Sequence, residues 1–338
     1  MAHNPNPTDL IVQKVENEQV PVLDLYGYID GVDGEAEQLA SDLRYIQENL
    51  GFYYIINHGV SDELIKKSFE QVALFFGLPE AEKNKIMVNK NQVGFVPSKA
   101  SIMKTELTKE NTLPDINEGF SLMREREPCD PKVLAGVRFS GLNQWPEGLP
   151  DLKSTLLKYH SEMEKLGKRL LPLYALALEK PSEYFNPFFE DAHYYNRNSM
   201  YPAVIEPGKH EALGAHTDHN FLALLPMSEE PGLMYATPSG NWLKAPKVPG
   251  AIVVNTGEFL KRWTNGRFLP TAHRVTVPRR NRYSLTFHYS PSDETEAVPL
   301  DTCVTPGKPV IYKPKTFIQH MTDYIDAVYV PQKEMMDC

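Results

Sequence analysis

Hydrophobic and polar positions follow two different periods along this chain, helical before about residue 190 and strand-like beyond it. Over residues 35 to 50, Leu39, Leu43, Ile46 and Leu50 recur at intervals of three and four, which predicts an amphipathic helix. A strand is expected over residues 52 to 57. A second helix should follow, capped by Ser61, with Leu64, Ile65, Phe69, Val72 and Phe76 on its apolar side and Gly77 and Pro79 stopping it. Residues 84 to 117 interrupt polar runs with Gly94, Pro97 and Pro114, a pattern of loops and short strands lining the entrance to a site. From 151 to about 180, Leu156, Tyr159, Met163, Leu166 and Leu170 share one face of a long helix that Pro172 is expected to kink or break.

Strands dominate afterwards, over residues 193–201, 215–225, 232–236, 251–255, 273–277, 283–289 and 309–312, and a short helix is expected over 314–325. That succession predicts an α+β fold. Its core would be a double-stranded β-helix, or jelly roll, with an N-terminal helical and strand extension and a long bracing helix. The expected division is a polar segment over 1–19, a helix-rich region over 20–180, the β-helix catalytic core over 181–330 and a tail over 331–338, working as one catalytic unit.

Composition narrows the class. A chain of 338 residues with 41% hydrophobic content can bury a substantial core. Its formal charge of -9 opposes general binding to nucleic acid. Cys129, Cys303 and Cys338 are too few and too irregular for a disulfide framework or a thiolate metal site, so reduced thiols are expected. Residues 1–19 carry no apolar run of signal-peptide type, and no later run reaches membrane-spanning length. The expectation is a cytoplasmic enzyme, monomeric or weakly homo-oligomeric, acting on a small molecule.

The candidate chemistry begins at Leu213-Gly-Ala-His216-Thr-Asp218. Residues two apart on a strand point to one face, so His216 and Asp218 could reach the same ion, with His273 as a third ligand. Two imidazoles and one carboxylate leave coordination positions open, which suits non-haem Fe(II), although zinc hydrolases use the same set. Arg282 and Ser284 separate the two readings. They share a strand face, and a guanidinium fork beside a hydroxyl suits the far carboxylate of a dicarboxylic acid whose other end chelates iron. Burying Arg282 near Leu285 and Val277 would be costly unless an anion met it.

With these motifs in place, the chain resembles the 2-oxoglutarate and Fe(II)-dependent oxygenases, in the subfamily that includes isopenicillin N synthase. The resemblance covers almost the whole chain. It runs through Val20-Pro-Val-Leu-Asp24-Leu, Gly51-Phe-Tyr-Tyr-Ile-Ile-Asn57-His58-Gly59-Val, Asn117-Glu118-Gly119-Phe120 and Tyr201-Pro202. Val254-Asn255-Thr-Gly257-Glu258, Trp263-Thr-Asn265-Gly266-Arg267-Phe268 and Thr271-Ala-His273-Arg274-Val275 follow in family order. A second His 55 positions after Asp218, and the Arg-x-Ser pair nine positions after His273, make the combination specific.

The resemblance implies that His216, Asp218 and His273 ligate iron, that Arg282 and Ser284 hold the distal carboxylate of 2-oxoglutarate, and that Tyr201 adds a hydrogen bond. It implies Fe(II), 2-oxoglutarate and O2 as the cofactor set, succinate and CO2 as products, and oxidation of a small metabolite, with specialised metabolism as the expected setting. Hydroxylation is the default outcome, with desaturation or cyclisation as variants. The carboxylate at Asp218 argues against the halogenating relatives, which leave room there for chloride. Ser199 departs from the family, which usually has Asn at that position. Two alternatives stay open: a same-fold Fe(II) oxidase that does not use 2-oxoglutarate, as in isopenicillin N synthase, and a non-enzymatic iron or oxo-acid sensor.

For the substrate, Arg197 alternates with Ser199 and Tyr201 on one strand face, so it could bind a substrate carboxylate or make a structural ion pair. His288 shares the face of Ser284, with Phe287 facing away, and Phe95, Phe120 and Phe221 are candidate apolar walls. His219 would point away from the ligands. His58 is expected to be structural and His210 exposed, and His3, His160, His193 and His320 carry no assigned chemistry.

Overall fold

In the computed structural model, which describes residues 7–100, 114–203 and 212–328, two sheets form the centre of the fold. The larger has eight strands: β1 (Val22–Asp24), β2 (Phe52–Ile56), β3 (Gly94–Val96), β4 (Glu118–Met123), β5 (His193–Tyr201), β7 (Leu222–Pro226), β10 (Ile252–Thr256) and β12 (Arg282–Ser290). Their spatial order is β1-β2-β10-β7-β12-β5-β4-β3. The smaller sheet runs β6 (Leu213–His216), β11 (His273–Val275), β8 (Leu233–Ala236) and β9 (Trp242–Lys244) in the order β6-β11-β8-β9. Every pairing between these strands is antiparallel except β1 with β2. The larger sheet therefore takes strands from both sides of residue 180. This is the jelly-roll architecture expected, and the N-terminal strands extend it.

The helices are α1 (Pro7–Glu16), α2 (Tyr26–Ile29), α3 (Glu35–Asn49), α4 (Asp62–Phe76), α5 (Glu80–Asn84), α6 (Pro131–Leu134), α7 (Pro150–Ala177), α8 (Glu258–Trp263) and α9 (Phe317–Val328). α3 buries Leu39, Leu43 and Ile46, and Ser61 caps α4 by accepting from the Leu64 N–H at 3.4 Å. No helix among the described residues is long and apolar enough to cross a membrane.

The long helix α7 braces the back of the large sheet. Tyr159 donates to the Leu285 carbonyl at 3.1 Å, and Gly167 lies so close that an added Cβ would sit 2.7 Å from the Tyr289 ring. Pro172 does not break this helix. A proline costs roughly 3 kcal/mol in a helix interior, and each large apolar side chain buried returns about 1.5–3 kcal/mol. Leu170, Leu171, Leu173 and Tyr174 are all buried beside it, so burial outweighs the lost hydrogen bond.

Three other expectations change. Residues 215–225 fall in two strands, β6 and β7, because the turn between them is held on the start of α8: Glu258 N–H donates to the Asp218 carbonyl at 2.8 Å and Phe259 N–H to that of Asn220 at 3.3 Å. Residues 309–312 are not a strand. Prolines flank them, and Val310 and Ile311 stay exposed with no strand alongside among the described residues. The polar N-terminal segment contains α1, whose Ile11 and Val15 are buried in the core.

Candidate active site

The period-2 geometry of β5 and β12 builds the cavity floor. The two strands pair along their whole length, with Arg282 opposite Tyr201, Ser284 opposite Ser199, Thr286 opposite Arg197 and His288 opposite Tyr195. All eight side chains line one cavity of about 810 Å³, its mouth included, together with His216, Asp218 and His273. Side chains between them turn the other way: Leu285, Phe287 and Tyr289 are buried beneath the sheet.

His216 ends β6 and His273 begins β11, and the register sets them directly opposite each other, with ring centroids 4.3 Å apart. Asp218 lies two residues beyond the end of β6. Its Oδ1 is 3.9 Å from His216 Nε2 and its Oδ2 is 3.8 Å from His273 Nε2, and one donor atom from each residue lies within 4.8 Å of the others. Strand alternation does not bring Asp218 there. The docked turn does, and Gly257 permits it: a Cβ at Gly257 would fall 1.9 Å from the Asn220 carbonyl oxygen.

The tautomers follow from the backbone. His216 Nδ1 lies 2.8 Å from the Gly214 carbonyl and His273 Nδ1 lies 3.1 Å from that of Thr271. A carbonyl can only accept, so His216 Nδ1 carries the proton and its Nε2 lone pair is turned to the centre; the nearer Thr271 carbonyl favours the same tautomer for His273, whose Nδ1 also lies 3.3 Å from the Asn255 amide nitrogen. Asn255 donates to Asp218 Oδ2 at 2.9 Å and holds that carboxylate in place. Burial alone would raise the Asp218 pKa, but the imidazoles of His273, His288 and His216 and the Asn255 N–H outweigh it, so the carboxyl is held well below its usual range. His216 is pushed down to about 4, first by burial and then by His273. His216 with its lowered pKa, the His273 imidazole and the ionised Asp218 carboxylate make a donor set that suits a divalent iron with positions to spare.

Beyond the triad, Arg282 is 3% exposed, and its guanidinium lies 5.1 Å from the Tyr201 ring centre. Its Nε and Nη1 have no hydrogen-bond partner among the described residues. Burial lowers its pKa, opposed by Tyr201 and then Glu230. A buried cation with two unpaired N–H groups fits a carboxylate. Ser284 is next on the same face, 3.3 Å from the Thr286 hydroxyl, and Phe52, Leu213, Leu233, Val253 and Val275 make the surroundings apolar.

Arg197 and His288 also reach the cavity, at its other end. Phe95, Phe120 and Phe221 do not line it. Phe120 takes the opposite face of β4 and stacks on Phe75 at 4.2 Å, Phe95 meets Phe75 edge-on at 6.1 Å, and Phe221 sits in the core against Tyr174, Phe185 and Phe189. His219 departs from expectation in the other direction. It lies past the end of β6, so alternation does not govern it, and it lines the cavity. Its carbonyl accepts from His320 at 2.9 Å, and His58 bridges the Gly250 carbonyl and the Val60 N–H as a structural group. His3 and His210 lie outside the described residues. Sequence alone assigns no role to Asn255, Tyr195 or Tyr324. Tyr195 can be found by extending the Tyr201, Ser199, Arg197 alternation one step, but nothing local marks Tyr324 on α9.

Comparison with known proteins agrees with this geometry. Residues 191–291 match the family model described as the 2OG-Fe(II) oxygenase superfamily, and residues 20–148 match that of the non-haem dioxygenase in morphine synthesis N-terminal region. The 2-oxoglutarate-Fe(II) type oxidoreductase hxnY of Emericella nidulans is 31% identical over 307 residues, 88% of this chain and 86% of its own length. Kihadalactone A synthase LFS of Citrus sinensis is 30% identical, over 88% of this chain and 90% of its own. Among solved structures, a full-length Neurospora crassa protein in complex with alpha-KG superposes with a TM-score of 0.80 at 23% identity, over 91% of this chain and 96% of that one.

Proposed function

This chain belongs to the 2-oxoglutarate–Fe(II) oxygenase superfamily and is a 2-oxoglutarate-dependent dioxygenase, and from that premise we propose that His216, Asp218 and His273 hold its iron, Arg282, Ser284 and Tyr201 its oxo acid, and Arg197 a carboxylate of its substrate. The observation that carries this reading is the meeting of three donor atoms within 4.8 Å in the same cavity as the buried, half-unpaired guanidinium of Arg282. Iron, 2-oxoglutarate and dioxygen together supply the oxidant, with succinate and CO2 released, and the small-molecule substrate is hydroxylated by default, with desaturation or ring closure as variants.

The protein's own part is placement. Asn255 and the carbonyls of Gly214 and Thr271 orient the three donors before any ion arrives, so little reorganisation accompanies binding. Arg282 and Tyr201 fix the far carboxylate of the oxo acid, and that sets where its other end lies. The apolar wall around Arg282 excludes water and strengthens that pairing. At the opposite end, Arg197 donates to Ser121 Oγ at 3.3 Å and forms no ion pair within 4.0 Å among the described residues, which leaves its charge available to a substrate anion. Anchoring one end of a substrate there turns a chosen C–H bond toward the metal.

The names of the relatives favour 2-oxoglutarate use over an oxidase that draws all its electrons from substrate. We place the enzyme in the cytoplasm, a compartment that fits its sparse set of cysteines, as a monomer or weak homo-oligomer. Anaerobic titration with Fe(II) and 2-oxoglutarate, followed by the visible charge-transfer band of the chelate, tests the assignments. The wild type should develop the band, His216→Ala should not, and Arg282→Ala should need far more oxo acid. Equal 2-oxoglutarate affinity in wild type and Arg282→Ala would refute the role given to Arg282.

A further inference from the structure

We propose that the end of the cavity away from Arg282 is a subsite for a flat, conjugated ring carrying an acid group: the ring lies against the parallel rings of Tyr195, His288 and His219, and the acid meets Arg197. The inference rests on the reading of Arg197 as a substrate anchor and names the body of the molecule attached to the anchored group. Four rings from separate elements share nearly one orientation. Tyr195 and His288, cross-strand partners on β5 and β12, stack at 4.2 Å and 11°. His219 is parallel to Tyr195 at 5.7 Å and 12° and to His288 at 6.1 Å and 17°, and Tyr324 of α9 stacks on His219 at 4.3 Å and 25°. All four line the cavity.

Two of these rings carry an unmet requirement. His219 is 3% and His288 6% exposed, yet His219 Nε2 and His288 Nδ1 have no hydrogen-bond partner among the described residues, and the Asp218 carboxylate, at 4.0 Å, is too far to serve His288. Buried polar atoms are nearly always paired, so a ligand with polar groups on a flat frame satisfies what an aliphatic one leaves open. Flat walls also select by shape, since offset stacking needs two flat partners. The cation has a seat on the sheet. A Cβ on Gly119 would lie 2.9 Å from Arg197 Nη2, so the guanidinium rests directly on the bare backbone of β4.

The test uses the iron-loaded protein with 2-oxoglutarate under anaerobic conditions and measures binding, by calorimetry or saturation-transfer NMR, of benzoate, 4-hydroxybenzoate, cyclohexanecarboxylate and benzamide. Benzoate should bind about fivefold to tenfold tighter than cyclohexanecarboxylate, as expected for a stacking contact, and 4-hydroxybenzoate tighter still. Tyr195→Leu should erase that ratio and Tyr195→Phe should keep it, with the 2-oxoglutarate affinity unchanged in both as a check on folding. Arg197→Ala and Gly119→Ala should weaken the two acids equally and leave the ratio alone. A ratio near one, with both acids still dependent on Arg197, overturns the ring subsite and leaves the anchor standing. Benzamide binding as well as benzoate, with no response to Arg197→Ala, overturns the anchor itself.

Discussion

The two ends of the strand pair β5 and β12 are built from the same alternation and do opposite things. At one end Arg282 faces Tyr201, nearly fully buried, in an apolar surround; at the other, six residues along each strand, His288 faces Tyr195 beside the half-buried Arg197. The first end presents one strong charge in a dry site, which suits an invariant ligand held by the same carboxylate in every turnover. The second spreads weaker contacts over several rings and a solvated cation. A shared reaction can therefore keep one end while the other is redrawn for a different substrate, because neighbouring cross-strand pairs on one face can change without altering the ladder that joins them.

The largest separation of the two ends should come from the iron site proposed between them. His216→Ala should lose iron binding and at least about a thousandfold of activity, since one of the three proposed ligands is removed outright, and metal analysis after desalting checks it. Arg282→Ala should weaken 2-oxoglutarate by roughly a hundredfold, the worth of two charge-assisted hydrogen bonds, with iron binding kept. If it weakens a substrate acid by the same factor, the two ends are not distinct. Behind the same strands, His160 meets Asn196 Oδ1 at 3.2 Å and burial pushes its pKa down to about 4 from an ordinary 6.5. The unfolded chain then takes up this proton first. The stability contribution is present above about pH 6.5 and is lost as pH falls toward 4, up to about 3 kcal/mol. Denaturant titrations across that window should show the slope, and His160→Gln should lessen it by one proton's share, the rest coming from His216, His288 and His320, whose pKa values burial also lowers; an unchanged slope would remove His160 from the account.

Smaller effects sharpen the picture. Asn255→Ala should lower iron affinity by about tenfold or more through the freed Asp218 carboxylate, measured by competition with a chelator. Least of all, Arg197→Ala should raise the KM for the eventual substrate by about tenfold while kcat and 2-oxoglutarate affinity stay within about twofold, the pattern of lost binding at a half-exposed site.

Much of this architecture is visible in the chain itself. β5 and β12 coincide closely with their expected spans, as do α3 and α4, because an alternating or three-four pattern long enough to bury one face leaves little choice of element. The triad and the Arg-x-Ser pair are equally legible, since the chemistry needs those residue types at those intervals. The aromatic walls are not. Phe95, Phe120 and Phe221 read the same as cavity or core, and only the packing of the first two against Phe75 and of the third against Tyr174 and Phe185 decides between them.

By itself, then, the sequence determined the elements, the donor set and the guanidinium fork, because periodicity and ligand chemistry are local properties. Tertiary structure alone decided that Asp218 meets the two imidazoles on a turn docked against α8, that His219 enters the cavity, and that Tyr324 arrives from α9 to stack on it. Each of these depends on contacts between segments far apart along the chain, where close approach of backbone to backbone, as at Gly257 and Asn220, fixes a direction that no spacing of residues can encode.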